Sequence, residues 1–493
     1  MGIVQRQSLR NTFISYVGLA IGFVNTTLVL PRLLAPAQIG LTTTLMGLAT
    51  LGAQVAAFGF ASTAIRYFPY FRDPARNHSG FLALLLGGPL LGFGAVAGAM
   101  WAGKTAILAR YTADTALLGP NYPVAIGLLF CVLFISLQDA YLKAQFHSAF
   151  SGFVQEIGVR LLVLGAAAAF AGGWLTFHGF VLAYLGAYAL ATLALTAYLA
   201  AIGELRLRPS RAVLRVRPLR ELLTYGGFAL LGNISGTLLL TIDALMVGAK
   251  LNLAAAGIYA IAFNISTALA LPFRAFYKTA YPLIAEYWKE GAFDKMADLY
   301  RRSTRINTLV GCYLALGIGL NLDFIYGLIQ RPAYAVGTAA VLLLLLGRLA
   351  DGITGVNGII VVTSPRYRYD LAFNVGLTAS IVVLNAVLIP RLGLAGAALS
   401  NALALAGLNL LRTWFVWRAY GLQPFDGRIG RILAVAAGAG AAVWALPGFP
   451  GLWANLLLRG GLLTALYGAG LLLTRAAPEA DAACAWLRQR LGR

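Results

Sequence analysis

The sequence predicts an all-α polytopic membrane protein of about fourteen transmembrane helices: two pseudo-symmetric six-helix lobes followed by a C-terminal helix pair. Three observations predict it. The 493 residues are 60% hydrophobic and 11% charged, where an ordinary soluble domain carries about 25% charged residues. Apolar runs of about 20 residues, enough for a helix to cross a roughly 30 Å hydrocarbon core, recur from end to end. Lys and Arg concentrate on alternate loops, as the positive-inside rule expects of a chain that crosses back and forth.

In order, the predicted spans are 11–31, 39–63, 81–103, 122–142, 157–174, 180–201, 225–248, 254–278, 307–328, 336–361, 371–389, 394–415, 432–447 and 453–473. The fifth is short and interrupted by glycine. The last two are parted only by PGFPG, a Pro/Gly turn signal. The N-terminal MGIVQRQSLRN leads straight into a span too long for the core of a cleavable signal.

With the N-terminus inside, most of the 38 Lys and Arg residues fall on the cytoplasmic side. The 6–7 loop alone supplies Arg206, Arg208, Arg211, Arg215, Arg217 and Arg220. The outer side keeps Arg32, Lys104, Arg110, Lys250, Arg331 and Arg391. The tryptophans fall at the same interfaces: Trp101, Trp174, Trp444 and Trp453 outside, Trp288, Trp414, Trp417 and Trp486 inside. Both termini are therefore expected in the cytoplasm. The formal charge of +21 then reads as an orientation signal that also meets anionic lipid headgroups. Without a recognised motif beside it, it does not argue for nucleic acid.

A faint repeat supports two lobes. LLAPAQIG before the second span resembles LNLAAAGIY before the eighth, aligning Gly40 with Gly257, and the same spans end in Phe68-Pro69 and Tyr281-Pro282. The expected organisation is an N-terminal lobe over 1–201, a basic cytoplasmic linker over 202–224, a C-terminal lobe over 225–418, and a terminal helix pair with its tail over 419–493. The stretch 282–306 alternates apolar and charged residues at roughly helical spacing and predicts an amphipathic segment in the inner interface. The C-terminal ADAACAWLRQRLGR is a weaker example.

Ionisable residues inside the membrane cost roughly 2.5–3.5 kcal/mol each at a helix centre, so they are where function is sought first. Arg348 and Asp351 lie near the middle of the tenth span at i,i+3 spacing, with Asn357 beyond them. A structural ion pair and a midplane binding site are both open. Arg66, Asp139 with Lys143, Glu156 with Arg160, and Arg274 with Lys278 line the cytoplasmic half. Each alone can snorkel to the headgroups; together they suggest a positive vestibule suited to phosphate. Asp243, in LLLTIDALMVGAKL, lies about 10 Å of helix rise before Lys250. It needs a partner on another helix or an aqueous cavity.

No catalytic residues are expected, since no GxSxG, HExxH, P-loop or clustered-carboxylate motif occurs. The histidines His78, His147 and His178 and the cysteines Cys131, Cys312 and Cys484 lie too far apart in sequence to suggest a metal site or a disulfide framework.

Two stretches resemble a known family. TIDALMVGAKLNLAAAGIYAIAF (241–263) is similar to the Asp-containing seventh helix and Gly-Ile-Tyr eighth-helix start of bacterial polysaccharide flippases of the O-antigen type. VLNAVLIPRLGLAGAALSNALA (383–404) resembles the turn between their eleventh and twelfth helices. LPRLLAPAQIG, AIRYFP and YPLIAEYWKEG are weaker matches. The family belongs to the multidrug/oligosaccharidyl-lipid/polysaccharide exporter superfamily.

The resemblance implies a secondary transporter of the bacterial inner membrane that flips an undecaprenyl-diphosphate-linked oligosaccharide between leaflets by alternating access, with membrane lipids and polysaccharide polymerases as partners. Arg348, Arg274, Arg66, Lys278, Arg160 and Asn357 are then the candidate substrate contacts. Asp351, Asp139 and Asp243 are candidates for coupling or lobe contact. No cofactor is implied, and proton or sodium coupling is left open. The first helix, ISYVGLAIGFVNTTLVL, lacks the mid-helix arginines usual in peptidoglycan-precursor flippases, which disfavours that subfamily. A multidrug or cation antiporter of the same superfamily is the alternative, although its acidic cavity is at odds with the mostly basic first lobe.

Overall fold

A computed structural model describes residues 14, 16–73, 78–208, 210, 213, 216–448 and 451–476. Among them no strand occurs, and each of the fourteen predicted stretches is largely helical where it is described. By length and hydropathy ten helices qualify to cross a membrane, or up to twelve when each sharply bent pair counts as one span. The chain is a multi-pass membrane protein. Helices are the element that satisfies its own backbone groups in lipid.

Short turns aside, the helices are α1 (Tyr16–Leu33), α2 (Pro36–Ala57), α3 (Phe60–Phe71), α4 (Phe81–Ala102) and α5 (Thr115–Ala144). There follow α6 (Ser148–Ala171), α7 (Phe177–Ala201), α8 (Leu219–Lys250), α9 (Leu253–Thr267), α10 (Ala270–Glu290), α11 (Phe293–Leu320) and α12 (Leu322–Ile329). The last are α13 (Thr338–Ile353), α14 (Asn357–Thr363), α15 (Arg368–Tyr420), α16 (Gly427–Trp444) and α17 (Leu452–Thr474).

Several predicted spans are broken, for local reasons. The second divides at Phe58 and Gly59, both left-handed. The eighth bends by 50° between α9 and α10; Pro272 denies the Ala268 carbonyl its helical partner. The tenth divides at Thr354–Val356 around Gly355, at φ 65°. The eleventh and twelfth are the arms of α15, which is non-helical at Gly393. A Cβ on Gly396 would collide with the Leu388 carbonyl, although residues eight apart in a straight helix are separated by about 12 Å. The chain therefore doubles back there.

Compactness divides the chain into unit 1, Met1–Ala260, and unit 2, Ile261–Arg493. Unit 1 has an aromatic core in which Phe68 meets Tyr141 edge-on at 5.1 Å and Phe71 stacks on Phe81 at 4.7 Å. Glycine permits the closest helix approaches, as is usual where lipid gives no hydrophobic drive to association. A Cβ on Gly40 of α2 would strike the Leu253 carbonyl, and one on Gly257 of α9 would strike the Pro36 carbonyl. The two glycines aligned by the sequence repeat are thus pressed against each other.

In unit 2, Ile284, Met296 and Tyr300 are buried with Val356, Ile360 and Val416. These contacts correct one expectation. The stretch 282–306 is not a separate interfacial helix: it forms the ends of α10 and α11, joined at the left-handed Gly291. Its apolar stripe packs into unit 2, where Trp288 meets Tyr420 edge-on at 4.7 Å. Periodicity alone cannot tell lipid from protein as the partner of such a stripe. The terminal pair docks on α11, where the Tyr467 hydroxyl donates to the Leu309 carbonyl at 2.9 Å. The C-terminal amphipathic segment and Cys484 lie outside the described residues, as do Arg211, Arg215 and part of PGFPG.

Candidate functional site

The break in the tenth predicted span builds a connected polar site in unit 2. Gly352 and Gly355 make it possible, because a Cβ at 352 would enter the Phe273 ring and one at 355 would meet the Thr304 and Ser303 hydroxyls. The break frees the Gly355 carbonyl, which accepts the Tyr277 hydroxyl at 3.1 Å. Asn357, buried at the start of α14, donates to the Asn409 carbonyl, the Asn409 Oδ1 and the Thr413 Oγ1, each at 3.2 Å. Asn409 in turn donates to Asp351 Oδ1 at 2.8 Å. Beside them Arg412 donates to Asp370 Oδ1 at 2.6 Å and to Asn374 Oδ1 at 3.2 Å.

These groups line a cavity of about 240 Å³ whose polar walls are Tyr277, Asp351, Asn357, Asp370, Asn409 and Arg412. Irregular backbone at membrane depth is tolerated where it lines a cavity or is buried in protein. Sequence spacing pointed to Asp351 and Asn357. It did not point to Tyr277, Asp370, Asn409 or Arg412, whose links span 42 to 78 residues. The one signal available was the density of Asn and Asp in apolar helices.

Arg348 is half-buried and lies with its guanidinium carbon 5.0 Å from the Phe263 ring centroid. Arg274 and Lys278 are exposed on α10. These three are not among the residues that line the cavity, whose cation is Arg412.

In unit 1 the partner that Asp243 requires is supplied within its own motif. The carboxylate is 3% exposed and accepts the Tyr259 hydroxyl at 2.9 Å. Nearby, Asp114 accepts the Leu253 N–H at 2.6 Å. Burial pushes the Tyr111 phenol up to about 12, so it remains a donor to the Leu245 carbonyl, 3.1 Å away.

The two expected i,i+4 couples of opposite charge are ion pairs. Lys143 meets Asp139 at 2.6 Å, and Ser151 donates to the same carboxylate at 2.7 Å. Arg160 meets Glu156 at 2.9 Å and donates to the Gly18 carbonyl of α1. The sequence reading missed Glu204, which accepts His78 Nε2 at 3.1 Å and Gln145 Nε2 at 2.9 Å. Arg66 is exposed and stacks over Tyr225, 4.3 Å from its centroid. Among the described residues, no group of three or more His, Cys, Asp and Glu side chains is arranged to hold a metal ion.

The sequence matches the model of the family described as polysaccharide biosynthesis protein over residues 8–288. No curated protein matches it. Among solved structures it is similar to the lipid II flippase MurJ in an inward closed conformation, with TM-score 0.75 and 10% identity over 94% of this chain and 98% of that one. It is also similar to an inward-facing multidrug resistance MATE family transporter of the MOP superfamily, with TM-score 0.63 and 13% identity over 83% of this chain and 94% of that one. A MATE structure in the bent conformation aligns with TM-score 0.54 and 14% identity over 88% and 98% of the two chains. At such identities the likeness concerns the fold. The family match spans more than half of the 493 residues, so the chain belongs to the polysaccharide biosynthesis protein family and is built on the fold that MurJ and the MATE transporters share.

Proposed function

We propose that the protein is a secondary transporter that flips a polyprenyl-diphosphate-linked oligosaccharide from the cytoplasmic to the periplasmic leaflet by alternating access, for surface polysaccharide biosynthesis. The observation that carries this reading is the family match over residues 8–288. The fold-related lipid II flippase offers a precedent for moving a lipid on this scaffold. The reading places the chain in the inner membrane with both termini cytoplasmic, in keeping with its basic loops. A polymerase of the same polysaccharide would be its natural partner.

In this reading Arg348, Arg274 and Lys278 attract the diphosphate, because guanidinium and ammonium groups pair strongly with phosphate oxygens. Arg160, already held by Glu156 and the Gly18 carbonyl, serves to fix α6 against α1. The amide-rich cavity at the helix break meets the polar part of the cargo through Asn357, Asn409 and Asp351. If transport is coupled to protons or sodium, Asp351 and Asp139 are the carboxylates to test.

The test is reconstitution into liposomes carrying a fluorescent polyprenyl-diphosphate oligosaccharide in one leaflet. Wild type should exchange it faster than empty vesicles, and Arg348→Ala, monodisperse in detergent, should lose most of that excess. Wild-type exchange equal to that of empty vesicles, with and without ion gradients, would end this reading. Efflux of an organic cation from the same vesicles would put the antiporter in its place.

A further inference from the structure

A second cavity, of about 480 Å³, opens at the basic end of unit 1. It is lined by Arg66 and Tyr67 of α3 and by Arg220, Glu221, Tyr225 and Phe228 of α8. Arg66 lies over the Tyr225 ring at 4.3 Å and beside Tyr67 at 5.4 Å, and the two rings meet edge-on at 5.6 Å. Stacking holds the guanidinium plane and leaves its N–H edges for an acceptor. Glu221, the carboxylate in the lining, is paired with Arg217 at 3.2 Å, and Arg217 lies over Tyr70 at 4.4 Å. The acid is thus matched by a base outside the lining, and Arg66 and Arg220 leave the cavity positive. It also opens on the first turn of α8, a 32-residue helix, whose leading N–H groups add partial positive charge.

The other wall is apolar. Phe228 lines the cavity yet is 66% exposed, and Ile65 and Tyr70 next to Arg66 are 53% and 59% exposed. A free anion would gain nothing from such a wall. A headgroup that carries its own chains would use both sides.

We propose that this cavity binds the phosphate headgroup of an anionic phospholipid, in the leaflet that meets the basic loops. The phosphate sits between Arg66 and Arg220, and the chains lie along Phe228. This goes beyond the transport reading and gives Arg66 a lipid partner distinct from the cargo.

The test is native mass spectrometry of the delipidated full chain, titrated separately with phosphatidylglycerol, phosphatidylcholine and farnesyl diphosphate. Wild type should retain phosphatidylglycerol in preference to phosphatidylcholine. Arg66→Gln/Arg220→Gln should reduce that preference about tenfold or more, since a basic residue near a charged surface contributes about 1 kcal/mol. Arg66→Lys should fall between, keeping the charge without the stacked plane. Arg301→Gln, an exposed arginine elsewhere, should change nothing. Size exclusion establishes that each variant is folded. Equal retention of the two phospholipids by wild type, or an undiminished preference in the folded double variant, would overturn the assignment. So would tighter binding of farnesyl diphosphate than of phosphatidylglycerol at these arginines, which would return the site to the cargo.

Discussion

The two units handle polar groups in an apolar solvent differently. In unit 1 several carboxylates find partners close by: Asp139 one turn away in Lys143, Glu156 one turn away in Arg160 and Asp243 across a hairpin in Tyr259. Asp114 and Glu204, however, are held by the distant Leu253 and His78. In unit 2 the polar groups at the helix break form a web in which α13, α14 and both arms of α15 each contribute. Short-range pairs satisfy a charge with little demand on neighbouring helices. A web distributes satisfaction over several helices, so displacing one member strands the others in low dielectric.

Four sets of substitutions test that contrast, in decreasing order of effect. Gly40→Val should remove about 3 kcal/mol or more, because its added carbons meet backbone that cannot rotate away. Thermal unfolding in detergent would measure the loss, with Gly236→Ala, which meets nothing within 4 Å, near wild type. An equal loss at both positions would mean that helix propensity and not close approach governs unit 1.

Arg412→Met should cost about 2 kcal/mol by stranding Asp370 with only Asn374 beside it. Arg412→Met/Asp370→Leu should recover much of this in the same melts. If the double variant is worse than the single one, the pair matters for more than mutual neutralisation. Asn357→Ala and Asn409→Ala should each cost about 1 kcal/mol and the pair less than their sum; strict additivity in a double-mutant cycle would dissolve the web into independent bonds. Lys143→Gln should cost only about 0.3–0.5 kcal/mol, since the lysine is 51% exposed and Ser151 still holds Asp139. A loss above 1 kcal/mol there would show that this pair, too, is coupled beyond its own helix.

The same contrast explains what the sequence made legible. Helix positions followed from runs of apolar residues, and the i,i+4 pairs followed from a helical period that places such residues on one face. The motif around Asp243 contained its own partner, sixteen residues on. The repeat, seen as the alignment of Gly40 with Gly257, marked a real contact. The site at the helix break was half hidden. Asp351 and Asn357 stood out as polar residues in an apolar run. Arg412 and Asp370, however, fall at the edges of predicted spans and carry no local signal, because nothing in one dimension sets which distant helices become neighbours. The stripe in 282–306 was visible, but its partner was not.

The contact between Gly40 and Gly257 also bears on how this protein can vary. Most contacts between helices are negotiated by side chains, so a larger residue on one side can be matched by a smaller one on the other. Here each position presses on the backbone of the opposite helix, and no choice of residue at one can make room for change at the other. Among related sequences the two positions should therefore show no compensating pairs. This close helix contact would be silent to any method that infers proximity from correlated substitution.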